Sequence, residues 1–486
     1  MKLYSSDENY KLYYGNMLDL SEVIEPNSVD AIVTDPPYEL NFMNKGWDNS
    51  GIAFQKETWK KCYDALKSGG HMLVFGGSRT FHRIACAIED AGFEIRDTIM
   101  WIYGSGFPKS MNIGLAIDKR NGVESKIGGV KQGHEDFVGR KTNGHMNFED
   151  GMKGFDRPWM HDEEKRESYH YQKIPTSDLA KQWEGWGTQL KPSYEPIIIA
   201  RKPCEGSIVD NVMKYGVGGI NIDECRIETS DMNMRGGATS NGNLGWKPST
   251  KEYNDGRFPA NTILTYDDSD FDEVCGGFPN TKSSGGSGDK SINGNFKNVY
   301  GDYKGGVKPS HLGGLGDEGS ASRYFYCAKA SKRDRDEGCE LLEDKYLAMS
   351  NQAKAELKRE NFSFQGNKES PLNSFNKVQV GKNIHPTVKP TSLMQYLVRL
   401  VTPKGGTVLD PFNGSGSTGK ACMYENADRK ADYKYIGIEL TEEYLPIAKA
   451  RIEFAEKNPI MDYEIKKTKT ETNKTDDDKS KSIFEI

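Results

Sequence analysis

The chain has 486 residues, enough for two or three domains at roughly 100–200 residues each. Hydrophobic residues make up 35% and the mean hydropathy is −0.73, so a modest core is wrapped in much polar chain; no apolar run approaches 18 residues, which excludes a membrane-spanning helix. The net charge of −6 excludes a uniformly basic, histone-like protein but leaves room for a local basic groove, and the eight cysteines show neither a CxxC pair nor zinc spacing, so buried reduced thiols in a cytosolic protein are expected.

The N-terminus, MKLYSSDENYKLYYG, lacks the apolar core of a signal peptide. KLYYGN (11–16) and VDAIVTD (29–35) read as strands, the second a β-branched apolar run of the kind buried on both faces of a sheet. It stops at Asp35-Pro36-Pro37-Tyr38, where two prolines remove ladder donors. Residues 54–68 carry Phe54, Trp59, Cys62, Tyr63 and Leu66 near helical spacing, and Gly69-Gly70 end that helix. HMLVFGG, a helix from about Thr80 to Ala91, and RDTIMWIY continue an alternation that predicts a parallel α/β sheet.

After Tyr103 the pattern breaks. Residues 104–185 are rich in Gly, Asn and charge, YEPIIIARKP (194–203) returns to a strand, and 226–320 is loose again. Residues 276–320 hold 13 glycines, with Lys282, Lys290, Lys297, Lys304 and Lys308 making 276–310 locally basic. SRYFYCAKAS (322–331) returns to the core as strand or loop. From 383 the α/β pattern resumes: a helix with Leu393, Leu397, Leu400 and Val401 on one face, the strand TVLDPF, a Gly/Ser turn into a second helix, the strand YIGIEL and a final helix. The tail, 462–486, mixes both charge signs without apolar periodicity and is expected to be disordered. The expected organisation is a core half at 1–103, an insert with a core strand near 194–203 at 104–320, a return segment at 321–382, the second core half at 383–461, and the tail.

Two turns carry chemistry. In VLDPFNGSGSTGK, Gly414 and Gly416 let backbone approach a ligand at a helix N-terminus. Gly414, Gly416 and Gly419 fit a dinucleotide fingerprint. Gly414 to Lys420 fits a P-loop except that Ala421 stands where a Mg²⁺-binding hydroxyl belongs. A methyl-donor site fits too, with Asp410 before the glycines and Glu439, ending the next strand, placed for ribose hydroxyls. In TDPPYEL, Asp35 ends a buried strand at the edge where α/β ligands bind. Its carboxylate and the Pro36 carbonyl can converge as two acceptors for an amino group, and Tyr38 offers a face on which a base stacks.

The pair TDPPY and LDPFNGSGSTG resembles the DNA methyltransferases that methylate amino groups with S-adenosylmethionine (SAM), in the order of their permuted β group: the DPPY segment first, a target-recognition region next, the SAM segment last. NIHPTVKPTSLMQYLVRLVTPKGGTVLDPFNGSGSTGKA is similar to that group's junction, and GVGGINIDECRI, GRFPANTIL and SRYFYCAKASKRDRDEG resemble a long bacterial and phage subgroup. The resemblance implies a circularly permuted, Rossmann-like α/β sheet with a long target-recognition insertion. It implies SAM as methyl donor with no metal, double-stranded DNA as partner, a monomer or homodimer in the bacterial cytoplasm or infected host, and kinship with restriction-modification enzymes; with no nuclease signal in the sequence, a stand-alone modification enzyme is expected.

By the same resemblance, Asp410, Pro411, Phe412, Gly414 and Gly416 line the SAM methionine and sugar, Glu439 takes the ribose hydroxyls, and His385, Pro386, Thr387, Lys389 and Pro390 close over the methionine. Asn16 stands where relatives usually carry an Asp near the cofactor adenine. Asp35, Pro36, Pro37 and Tyr38 hold a base flipped out of the duplex, since its amino group is out of reach inside it. The leading Asp points to adenine N6; cytosine N4, whose enzymes more often start with Ser, is the alternative. Protein glutamine methylation, a P-loop ATPase, and a cytosine-carbon methylase using Pro203-Cys204 are remoter. DNA reading is expected within 104–185 and 226–320.

Overall fold

The structure, a computed structural model, describes residues 1–40, 46–103, 110–130, 171–227, 257–266, 280–282, 297–298, 301–302, 318–320, 325–329, 332–343, 345–348 and 379–458. The expected tail and most of the Gly-rich 276–320 stretch lie outside these. One compact unit comprises Met1–Gly104, Tyr194–Lys345 and Gly381–Ile486, and a second comprises Ser105–Ser193 and Tyr346–Val380.

The first unit is built on a ten-stranded sheet. In chain order its strands are β1 (Lys2–Ser6), β2 (Tyr10–Tyr14), β3 (Val29–Thr34), β4 (Leu66–Phe75), β5 (Glu94–Tyr103), β6 (Tyr194–Arg201), β7 (Thr262–Tyr266), β8 (Tyr326–Lys329), β9 (Thr407–Asp410) and β10 (Lys434–Glu439). Their spatial order is β1-β2-β10-β9-β3-β4-β6-β5-β7-β8. All but β1 and β6 run the same way; β6 is antiparallel to both β4 and β5. The last two strands in the chain thus sit inside the sheet, β10 on β2 and β9 on β3. This is why two distant apolar segments make one core.

Helices α1 (Lys56–Ala65), α2 (Phe81–Asp90), α3 (Ile208–Tyr215), α4 (Lys332–Asp336), α5 (Thr391–Val401), α6 (Ser417–Arg429) and α7 (Leu445–Lys457) complete the unit. All six residues of β3 are buried, as a central strand covered on both faces requires. On β4 the side chains alternate: Leu73 and Phe75 join the cluster formed with α5, α6 and α7, and Met72 and Val74 join the one with Trp59, Cys62 and Ile84 of α1 and α2. The predicted helical face of α5 is fully used, with Leu393 and Leu397 at 0% exposure.

Two strands escape a pattern reading. β1 is mostly exposed and so carries no apolar signal. β7 lies in the stretch read as loose, yet Ile263 and Leu264 are buried between β5 and β8. Five residues are too few for a period to stand out from Gly- and polar-rich neighbours. The stretch at 104–185 also holds regular structure in the second unit. A helix at Ile113–Arg120 is capped by the Asn112 side chain, which accepts from Leu115 N at 3.0 Å. A second helix spans Asp178–Gln182, and Lys126–Val130 pairs antiparallel with Tyr171–Ile174. Asp118 ties the two helices by accepting from Thr176 N at 2.6 Å and Ser177 Oγ at 2.5 Å.

Candidate active site

Parallel strands place their carboxyl ends along one edge of the sheet, and three carboxylates stand there in a row: Asp35 just past β3, Asp410 ending β9, Glu439 ending β10. Asp410 accepts from Thr34 Oγ1 (2.6 Å), Thr418 Oγ1 (2.7 Å) and Phe412 N (3.1 Å). Burial raises its carboxyl to about 6 despite these donors. Glu439 accepts from Gly414 N and Thr441 N, each at 2.7 Å, tying the glycine turn to the end of β10; burial raises it to about 7. Gly414 (φ +52°) and Gly416 (φ +73°) are left-handed, and a Cβ would lie 2.8 Å from His385 Nε2 at the first and 2.9 Å from Ala448 Cα at the second. Glycine is required at both.

Asn16 follows β2, beside β10. Its Oδ1 accepts from Leu18 N at 3.0 Å and caps a 3-10 turn, and Gly15 N donates to the Glu439 carbonyl. Pro411 is buried, and the half-buried Phe412 ring lies 6.3 Å from Trp59. His385 is buried, edge-on to Tyr444 at 4.6 Å; burial and neighbouring cations depress it to about 3, so its ring is neutral. Thr387 is exposed, with its N–H directed at His385 Nδ1 (3.4 Å).

At the Asp-Pro-Pro-Tyr turn, Pro36 is buried, Pro37 is half-buried, and the Tyr38 carbonyl accepts from Thr80 Oγ1 at 2.8 Å. Asp35 Oδ2 accepts from Lys389 Nζ at 2.6 Å, whereas Asp35 Oδ1 is buried with no hydrogen-bond partner. Burial raises the Asp35 carboxyl and Lys389 opposes that rise. Lys389, which the resemblance places in the segment closing over the cofactor, reaches the Asp-Pro-Pro-Tyr turn. Sequence reasoning missed Glu195 entirely. It accepts from Tyr38 Oη (2.6 Å) and Tyr103 Oη (3.3 Å), and lies 3.5 Å from Lys389 Nζ. Because β6 is antiparallel, its first residues reach the edge where its neighbours end. The one clue in the sequence was an acidic residue opening a strongly apolar strand.

The same topology removes Pro203-Cys204. They follow the other end of β6, at the opposite edge, where the Pro203 carbonyl accepts from Ser68 Oγ. The P-loop reading fails on Lys420, which is fully buried and donates to Asp334 Oδ1 (2.7 Å) and Glu337 Oε2 (2.9 Å). Burial alone would raise Asp334, but Lys420 and Arg451 outweigh it and hold it below the carboxylate range. Lys420→Met is expected to cost about 3–5 kcal/mol in urea unfolding, as breaking a buried pair does. A phosphate-binding lysine would be removed with little loss of stability. Among the described residues no group of three or more His, Cys, Asp or Glu could hold a metal ion, and no helix is long and apolar enough to cross a membrane.

The family profile described as DNA methylase (N6/N4) matches residues 29–450. The chain is 38% identical over 77 residues to the Type II methyltransferase M2.DpnII of Streptococcus pneumoniae, covering 16% of this chain and 26% of that one. It is 39% identical over 82 residues to the Type II methyltransferase M2.MboI of Moraxella bovis, covering 17% and 27%. It thus spans under half the length of the curated relatives it matches. Among solved structures, the M1.HpyAVI–SAM complex aligns over 91% of this chain and 99% of that one at 14% identity and TM-score 0.32. PvuII DNA methyltransferase (cytosine-N4-specific) aligns over 93% and 88% at 13% identity and TM-score 0.36.

Proposed function

The chain belongs to the DNA methylase family, and from that membership we propose that it transfers the methyl group of SAM to the exocyclic amino group of a flipped base in double-stranded DNA, adenine N6 in the first place. The carrying observation is Asp35 Oδ1, a buried acceptor with no hydrogen-bond partner, just past the carboxyl end of β3 in the turn that carries Tyr38. An unpaired buried acceptor is costly, and a ligand N–H would satisfy it.

In this reading SAM lies along the β2, β10 and β9 ends, with Glu439 on its ribose hydroxyls, Gly414 and Gly416 against it, and Phe412, Pro411, Asp410, His385, Thr387 and Asn16 around it. SAM supplies an electrophilic methyl on its sulfonium. The base amino nitrogen is a poor nucleophile because its lone pair is delocalised into the ring. Asp35 and the Pro36 carbonyl accept its hydrogens, freeing the lone pair for in-line attack, and the carboxylate stabilises the positive charge that grows on nitrogen. Orienting two bound reactants supplies up to about 7–11 kcal/mol of the barrier. Stacking on Tyr38, about 1–3 kcal/mol, offsets unstacking of the base. The DPPY-first, permuted order fits β9 and β10 entering the middle of the sheet, and an Asp rather than Ser at the head of the turn favours adenine over cytosine. The second unit and the region around β7 are our candidates for DNA reading, with surface lysines giving salt-dependent binding.

The deciding experiment is sequencing of modified bases in DNA from methylase-free bacteria expressing this chain. N6-methyladenine at one short recurring motif is the expected result. N4-methylcytosine would keep the chemistry and reverse the base, and no mark from folded, SAM-binding protein would overturn DNA as acceptor.

A further inference from the structure

The ammonium of Lys389 sits where four groups converge. Nζ is 2.6 Å from Asp35 Oδ2, 3.5 Å from Glu195 Oε2, 5.3 Å from the Tyr38 ring centroid and 5.0 Å from that of Phe75. Glu195 takes the Tyr38 hydroxyl at 2.6 Å and the Tyr103 hydroxyl at 3.3 Å. The three ionic groups come from three separated parts of the chain, and Lys389 is 8% exposed at its side chain.

The geometry points to Lys389 and Glu195 as positioning residues for methyl transfer: Lys389 occupies one oxygen of Asp35 so that the other faces the target amino group, and Glu195 anchors both Lys389 and the Tyr38 hydroxyl. This rests on the methyl-transfer reading above and adds to it an ion chain outside the Asp-Pro-Pro-Tyr turn. A lone carboxylate in this buried place would take up a proton and become a donor, useless for drawing hydrogens off an amino group. The Lys389 charge opposes that protonation. The Glu195 charge acts on Asp35 in the opposite direction but holds the ammonium in place, and burial lowers and the two carboxylates raise the Lys389 pKa, with a net rise. Two acidic side chains, Asp35 and Glu195, meet a single lysine here, an excess of acidic groups suited to face the cation forming on the base nitrogen. Among the described residues, the other titratable groups that act on Asp35 are Tyr38, whose hydroxyl burial holds protonated, and Asp410 on β9.

The test uses the full chain, tritiated SAM and genomic DNA from methylase-free cells, with SAM affinity measured separately by calorimetry. K389M is expected to leave SAM affinity within about threefold, to lower kcat at least tenfold, and to move the acid limb of the pH–kcat profile up by about 1 unit or more, the effect of losing a neighbouring opposite charge. K389R restores the limb. E195Q also lowers kcat but moves the limb down, because a charge that raised Asp35 is gone. This opposite shift keeps the test decisive should K389M not fold. A K389M enzyme that loses SAM affinity tenfold with an unchanged limb would make Lys389 a cofactor ligand and overturn the proposal. So would full rates in both variants. Absence of methylation by the unaltered chain would instead strike the methyl-transfer reading itself.

Discussion

Asp35→Ala is expected to lower kcat by roughly 10²–10³ or more, the range lost when one charge-stabilising group is removed from an active site. SAM affinity should change only a few-fold. The reason is spatial. Asp35 follows β3, whereas the glycine turn hangs from β9 and β10, and Asp35 shares no hydrogen bond with Asp410, Gly414 or Glu439. Its strong contact is with Lys389, which the substitution would leave on Glu195 3.5 Å away. Asp35→Asn separates charge from shape. It keeps an acceptor oxygen but adds two donors, and so should be nearly as slow as the alanine variant. Calorimetry with SAM and single-turnover methylation of the same preparations check both halves. Unchanged turnover would remove Asp35 from the chemistry, and loss of SAM binding would move it into the cofactor site.

Glu439→Ala should do the reverse and weaken SAM binding on the order of 100-fold or more. In the proposed placement it removes a charged acceptor for two ribose hydroxyls, at about 1.5–3 kcal/mol per charged hydrogen bond, and it strands the N–H groups of Gly414 and Thr441. The native residue also makes binding pH-dependent. Burial raises this carboxyl from 4.5 to about 7, so between those values the folded, ligand-free chain holds a proton that the unfolded chain does not. The contribution of Glu439 to stability is therefore most favourable at low pH and declines as pH rises through that window. In the proposed placement the SAM hydroxyls favour the ionised form and displace the proton. SAM affinity should fall as pH drops below about 7, by up to about tenfold per pH unit for one proton. Titration calorimetry from pH 6 to pH 8 in two buffers of different ionisation enthalpy reads both the affinity and the proton release. A flat profile would place the ribose elsewhere.

Much of the fold is legible because buried strands and amphipathic helices are local patterns. β3 and β4 announce themselves by continuous apolar runs, and α5 by four apolar residues on one face. β1 and β7 are not legible. An exposed edge strand needs no apolar side chains, and a five-residue strand among glycines has too short a period to detect. Helix Ile113–Arg120 hides for a related reason: its two buried residues are Gly114 and Asp118, so no buried apolar face sets it off from a polar stretch.

Within the site the same division holds. Residue type and spacing determined the two turns by themselves: prolines after a buried strand fix a rigid acceptor, and Gly414 and Gly416 are needed because their backbone is left-handed and crowded. Only the tertiary structure decided which charges meet. Lys420 reads like a phosphate ligand in sequence and is a buried structural cation, because α4 folds Asp334 and Glu337 onto it. Glu195 lies 157 residues from Tyr38 in the chain and 2.6 Å from its hydroxyl in space, because one strand runs antiparallel and begins where its neighbours end. A local pattern encodes which face of an element is buried; the partner of a charge depends on strand order and direction, which pairing across the whole sheet sets.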